Sequence, residues 1–249
     1  MTGESPNAVR IETLAETGST NADLLARIAA SDPPHEGFWL QAEQQVGGRG
    51  RLGRRWVSPR GNLYCSTVVH LTRGDPEAHT LSFVTGLAVH ATLRRFLSES
   101  TSIALKWPND CLVDGAKIAG VLLERSGDIV VVGIGINVCH APDLPDRETT
   151  SIAGKNNGDG ANPRYVLQVL GQEFGEQVAR WRTEPLTQTL DRWIARAHPI
   201  GVPLAAGSGD ERITGTFAGL DQNGALLLSL ANGALRTIHA GDVSVITKA

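Results

Sequence analysis

The chain of 249 residues and 26.5 kDa has room for one large domain, or for one domain with a small appendix. Its formal net charge of −3 excludes a global electrostatic pull toward nucleic acid or anionic membrane. Cys65, Cys111 and Cys139 are widely spaced and form no metal-ligand pattern, and no apolar stretch is long enough to span a bilayer.

Residues 1–10 lack a basic segment followed by an apolar run, so no signal peptide is expected and the expected location is cytoplasmic. Val9 to Leu14 reads as a strand, and Ala22 to Ala30 has helical composition. Between them stands Ser19-Thr20-Asn21, three small polar residues that can cap the helix or line a polar pocket at its N-terminus. Gly37 to Gln45 reads as a second strand. It runs into Gly-Gly-Arg-Gly-Arg-Leu-Gly-Arg-Arg-Trp, Gly47 to Trp56. That loop holds four glycines, four arginines and one tryptophan in ten positions. Glycine lets a backbone come close to a ligand, and arginine forks match carboxylate and phosphate oxygens. Trp56 adds a flat face, so the loop suits something anionic at one end and planar at the other.

Asn62 to Leu71 is strand-like, and a long segment from Pro76 to Leu97 has apolar residues at helical spacing. His90 within it reads as structural. Ile103 opens a strand that runs into Lys106-Trp107-Pro108-Asn109-Asp110, where proline blocks further pairing and leaves Lys106, Asn109 and Asp110 at the strand end. Asp114-Gly115 signals a hairpin turn, with Lys117 just beyond it. Ile118–Glu124 and Ile129–Val138 form an antiparallel pair, and Gly133 and Gly135 in the second strand suggest a face against which a ligand lies. Residues 139–162 read as loop, Asn162-Pro163 as a helix start, and 165–181 and 186–196 as helices closed by His198-Pro199. From Ile200 short β-rich runs alternate with turns, which suggests a small barrel or meander and a domain boundary near Gly201.

Were the loop, Lys106, Asp110, Lys117 and Asn137 to converge, the pocket would hold several cations, one acid and an aromatic plate. Joining a carboxylate to the α-phosphate of a nucleotide needs such a set, because two anions must meet. Orientation supplies much of the remaining rate, and little acid–base machinery is required. A glycine-rich loop that is ordered on binding would also keep water from a mixed anhydride.

The motifs G-R-G-R-x-G-R-x-W at 48–56 and K-W-P-N-D at 106–110, with Lys117–Glu124, resemble the biotin protein ligases over most of the chain. The resemblance implies an α+β fold: a mixed sheet with flanking helices over residues 1–200, and an SH3-like barrel over 201–249. It implies ATP and biotin as substrates with Mg²⁺, a biotinyl-5′-AMP intermediate, and transfer to a lysine of a biotin carboxyl carrier domain. Ser19, Thr20, Asn21 and Gln45 would bind the ureido end of biotin. Arg49, Gly50 and Arg51 would enclose the carboxylate and phosphate, with Lys117 on the carboxyl oxygens and Lys106 near the phosphates. Arg54, Trp56 and Asn137 would serve the nucleotide, Trp56 covering the adenine, and Asp110 would orient or deprotonate the incoming amine. Leu52 departs from the basic residue some relatives carry. No metal site built by the protein, no DNA-binding domain and no membrane contact are expected; monomer and homodimer both remain open. The rivals are a lipoate or octanoate ligase or transferase, and a nucleic-acid-binding module.

Overall fold

A computed structural model describes residues 9–145, 147–156, 161–207 and 212–246, so the reading of the first eight residues lies outside the described residues. Seven strands form one mixed sheet: β1 (Arg10–Leu14), β2 (Phe38–Ala42), β3 (Leu63–His70), β4 (Ile103–Lys106), β5 (Asp110–Val113), β6 (Ala116–Ser126) and β7 (Ile129–Ile136). Their order is β1-β2-β3-β7-β6-β5-β4, and only the β1–β2 pair is parallel. The parallel crossover is made by α1 (Thr20–Ala29), which covers one face of the sheet. The other face carries α2 (Leu81–Phe96), α4 (Pro163–Thr183) and α5 (Leu186–Ile194), while α3 (Ile152–Lys155) is a single turn.

Period-two alternation divides the strands between these faces. Leu63, Cys65 and Val69 of β3 and Val130, Val132, Ile134 and Ile136 of β7 join the larger core under the helices. Val68 and Val131 face the other way, with Leu24 of α1. Trp39 meets Phe174 edge-on at 5.4 Å, and Phe83 meets Trp193 edge-on at 5.4 Å. Both contacts have the T-shaped geometry that ring quadrupoles favour. Trp181 is fully buried, and its indole N–H donates to the Thr80 hydroxyl at 2.8 Å. His90 in α2 is half-buried, and burial together with the nearby arginines pushes its imidazole down to about 4. It is therefore neutral near pH 7, as a structural histidine would be.

Five more strands, β8 (Pro203–Ala206), β9 (Ile213–Leu220), β10 (Leu226–Ser229), β11 (Leu235–Ile238) and β12 (Val243–Val245), form an antiparallel sheet in the order β11-β10-β9-β8-β12. This is the β-rich C-terminal unit that the turn-punctuated sequence indicated. It is tied to the larger sheet's helical layer at several points. The indole N–H of Trp107 donates to the Gly224 carbonyl at 3.0 Å, and a ring nitrogen of His79 lies 2.9 Å from the Asn223 carbonyl.

Three local readings change. The first helix begins at Thr20, not Ala22, and its N-cap Ser19 makes no side-chain capping bond. Pro108 does not end pairing: it sits within the tight turn joining β4 to β5, where Lys106 pairs with Asp110. A four-residue strand, β5, was masked by its nearness to proline. The loop after Cys139 also contains the turn α3, capped by the Ser151 hydroxyl, which accepts from the Gly154 amide at 3.1 Å. By contrast, Asp114 and Gly115 both have positive φ, 49° and 85°, as a two-residue hairpin turn of this type requires. Asn162 caps α4 by accepting from the Arg164 amide at 2.8 Å.

Replacing Trp181 by Phe removes the bond to Thr80 and leaves a small void. The expected cost is about 2 kcal/mol, read as a lower urea midpoint at unchanged slope.

Candidate functional site

On the α1 side of the sheet two strands present a row of missing side chains. Gly120 of β6 pairs with Gly135 of β7, and Gly133 pairs with Ser66 of β3 on one side and Leu122 on the other. The space they leave is filled by protein. A Cβ at Gly135 would lie 2.6 Å from the Trp56 ring, and one at Gly120 would lie 3.1 Å from it. A Cβ at Gly133 would lie 2.2 Å from Asn21 Oδ1. The strand glycines thus seat an indole and an amide, and Gly120, Gly133 and Gly135 also line the cavity beneath the flap.

Residues 46–57 fold over this face as a flap. Its base is closed by Gln45 and Ser58, whose backbones bond at 3.2 Å, and by the Gly47 amide, which donates to Gly18 at 2.8 Å. Further out, the Trp56 amide donates to Gly48 at 2.9 Å and the Gly50 amide to Arg54 at 2.7 Å. Gly48 permits the close return, because a Cβ there would lie 2.6 Å from the Trp56 carbonyl oxygen. At the tip Leu52 has φ 57° and is 77% exposed. The flap reaches the C-terminal sheet: Arg51 donates to the Gly241 carbonyl at 3.2 Å, and Arg54 pairs with Asp242 at 2.6 Å.

Beneath the flap lies a cavity of 1060 Å³, larger than one small ligand needs and roomy enough for two substrates. Every residue singled out for binding or chemistry lines it: Ser19, Thr20, Asn21, Gln45, Arg49, Gly50, Arg51, Arg54, Trp56, Lys106, Asp110, Lys117 and Asn137. One end is uncharged. There Gln45 Oε1 accepts from the Thr20 amide at 2.9 Å, and Gln45 Nε2 donates to Ser58 Oγ at 3.2 Å. The Thr20 hydroxyl lies 2.6 Å from the Ser66 hydroxyl, which donates to Asn21 Oδ1 at 2.6 Å.

The other end is cationic. Lys117 Nζ contacts Asp110 Oδ1 at 2.5 Å and lies 5.3 Å from the centre of the Trp56 ring, within reach of a cation–π attraction. Burial lowers the Lys106 ammonium below the ordinary lysine value, although Asp110 acts to raise it. Burial likewise lowers Arg51, opposed by Asp242 and Asp110. An arginine retains its charge through such a shift; a lysine surrenders part of its margin. Asn137 is buried, and its amide donates to the Thr150 carbonyl at 2.9 Å, so it also fixes the segment crossing Lys117. Asn109, named only as a strand-end polar group, clamps the β4–β5 turn to Val121 through side chain and backbone.

Sequence reasoning missed His198. It lines the cavity where the two sheets meet, and its Nε2 is buried without a hydrogen-bond partner. Burial, then the charge of Lys106, pushes its imidazole down. The only sequence signal was a histidine before proline at the end of a helix. Arg147, Asp242 and Ser244 also line the cavity from segments that carried no motif.

The Arg54–Asp242 pair is about 43% exposed on both sides, so solvent limits its worth to about 1 kcal/mol or less. Asp242→Ala should therefore leave the fold intact and raise tryptic cleavage within residues 49–55 by at most about fivefold, read from the digestion rate of the free protein.

Residues 16–139 match the model of the Biotin/lipoate A/B protein ligase family, and residues 200–245 match that of the Biotin protein ligase C terminal domain. The chain is 38% identical over 226 residues to a biotin–[acetyl-CoA-carboxylase] ligase of Paracoccus denitrificans, covering 86% of this chain and 92% of that one. Among solved structures it resembles a biotin protein ligase from Aquifex aeolicus in complex with biotin and ATP, with TM-score 0.81, 28% identity, and coverage of 96% and 99%. It also resembles one from Leishmania major in complex with biotinyl-5-AMP, with TM-score 0.63, 26% identity, and coverage of 93% and 99%.

Proposed function

The chain belongs to the biotin protein ligase family, and we infer from this that it uses ATP to attach biotin to a lysine of a biotin carboxyl carrier domain, through biotinyl-5′-AMP. The observation that carries the reading is the grading of one cavity. An uncharged hydrogen-bonding end, made by Thr20, Asn21 and Gln45, leads to a cationic end with Arg51, Lys106 and Lys117 around Asp110. A neutral cyclic urea suits the first end, and a carboxylate meeting a phosphate suits the second.

In the first step a carboxylate oxygen of biotin attacks the α-phosphorus, and the bond to the bridging oxygen breaks to release pyrophosphate. Ser19, Thr20, Asn21 and Gln45 hold the ureido ring. Arg49, Gly50 and Arg51 close on the carboxylate and α-phosphate, Lys117 on the carboxyl oxygens, and Lys106 on the departing phosphates. Arg54, Trp56 and Asn137 serve the nucleotide, with the free face of the indole toward the adenine. Fixed cations offset the repulsion of two anions without reorganising at the moment of reaction. In the second step the carrier lysine's amine attacks the acyl carbon, AMP leaves, and Asp110 orients the amine and takes its proton.

Among the described residues no group of three or more His, Cys, Asp and Glu is placed to hold a metal ion. Mg²⁺ would enter with the triphosphate and would neutralise phosphate charge there. We assign residues 1–200 to the ligation domain and 201–249 to a unit that anchors the flap. No described helix is long and apolar enough to cross a membrane.

Incubation with biotin, ATP, Mg²⁺ and an apo carrier domain should add one biotinyl mass to a single lysine, read by mass spectrometry. Pyrophosphate exchange driven by lipoate but not biotin would overturn the assignment. Lys117→Ala should lower single-turnover adenylate yield by about a hundredfold at unchanged circular dichroism; an unchanged yield would remove Lys117 from the site. Because the Lys106 value is lowered, its cation is present below that value and lost sooner as pH rises than an ordinary lysine's would be. The alkaline decline in adenylation should therefore begin early and move to higher pH in Lys106→Arg, measured as a pH–rate profile.

A further inference from the structure

Glu124 stands at the far end of the hydrogen-bond chain that forms the uncharged floor, and nothing above gives it a task. Its carboxylate accepts from Asn21 Nδ2 at 2.8 Å, and the Leu122 carbonyl lies 3.4 Å from the same nitrogen. Both partners offer acceptors only, so the amide nitrogen must point at them and Asn21 Oδ1 must point the other way. That oxygen lies over Gly133 and accepts the Ser66 proton. Ser66 has one proton, and it is spent. The 2.6 Å contact between Ser66 and Thr20 can then be made in one sense only, with the Thr20 hydroxyl donating to Ser66 in preference to its other acceptor, Gln45 Oε1, which lies farther off at 3.3 Å. Thr20's proton is thereby turned away from the cavity, leaving lone pairs of Thr20 Oγ1 and Asn21 Oδ1 as the available groups.

We propose that Glu124 is a positioning residue that sets the hydrogen-bond polarity of the cavity floor, so that this floor accepts from ligand N–H groups. It acts through Asn21, Ser66 and Thr20 without touching the ligand. Adjacent strands make the relay possible: Ser66, Gly133 and Leu122 lie side by side in register, with Glu124 two residues along the same face. Ser66, in the middle of the relay, is fully buried and lies off the cavity wall, so water cannot stand in for its hydrogen bonds. The class of head group selected is a cyclic urea or a similar ring carrying N–H donors. A ring offering only acceptors leaves oxygen facing oxygen, which a buried site rejects more strongly than it rewards a match.

This inference deepens the ligase reading and rests on it for the identity of the head group. The test uses the full chain and two probes: biotin, and the cyclic carbamate analogue in which a ring oxygen replaces one ureido N–H. Binding is read by calorimetry, which needs no turnover, and biotin-driven pyrophosphate exchange is read beside it. The wild type should prefer biotin by about tenfold or more. Glu124→Gln can still place an amide oxygen against Asn21 and should keep that preference. Glu124→Lys presents a donor, turns Asn21 around, and should reduce the preference to about threefold or less, raising KM for biotin while KM for ATP is unchanged. Ser66→Ala cuts the relay in the middle and should have the same effect with Glu124 intact. Adding Glu124→Lys to Ser66→Ala should then change nothing further, whereas independent structural damage would add. Undiminished discrimination in Glu124→Lys or Ser66→Ala, or additive losses in the double variant, would overturn the proposal. Discrimination that follows this pattern without any biotin-driven exchange would support the relay and sink the ligase reading instead. A wild type that binds neither probe would sink both.

Discussion

Close approach to a sheet face is the constraint from which the site follows. Side chains at 120, 133 and 135 would fill the shallow trough that receives Trp56 and Asn21. With the trough open, a loop and a helix start can both settle directly onto strands β6 and β7. The flap then gains a fixed inner wall, and the helix start can place Thr20 and Asn21 against Ser66. Backbone economy at three positions thus precedes any argument about charge. The cations gather at one end because the flap, the β4–β5 turn and the start of β6 all open on the same side of that trough.

The cluster at that end is unevenly balanced. Asp110 is held by Lys117, while Lys106 is half-buried nearby and Arg51 reaches across to a backbone carbonyl of the C-terminal sheet. The cavity is lined by seven lysines and arginines against four carboxylates, Asp110 and Asp242 among them, which leaves a local excess of positive charge on a chain whose overall charge is −3. The excess is concentrated where anions must be brought together, and low dielectric makes it count for more there than it would on the surface. The small sheet contributes wall as well as tether, since Asp242 and Ser244 line the same space.

Much of this was written in the amino-acid order. The flap and the Lys106–Asp110 run are unusual enough in composition to announce chemistry, and both line the cavity. The hairpin at Asp114-Gly115 and the cap at Asn162 were legible because local backbone demands fix the residue types. Strand β5 was not, since four ordinary residues beside a proline carry no periodic signal. Gly133 and Gly135 revealed that something must come close but not what, because the occupants arrive from residues 21 and 56. Ser66, Glu124 and His198 are commonplace in type; only topology brings them to the cavity or to the groups that form its floor.

The placement of indoles has an optical consequence. Of the five tryptophans, Trp39, Trp107, Trp181 and Trp193 are buried in packed surroundings, and Trp56 alone is partly exposed, facing the cavity. Three of the interior rings, Trp39, Trp181 and Trp193, lie away from the cavity and emit from surroundings that filling it leaves largely unaltered, while Trp107 touches the cavity wall but is only 5% exposed. Intrinsic fluorescence therefore contains one solvent-sensitive, red-edge component assigned to a single ring on the flap. Occupancy of the cavity can be followed in real time on the native chain, without a dye or an added chromophore.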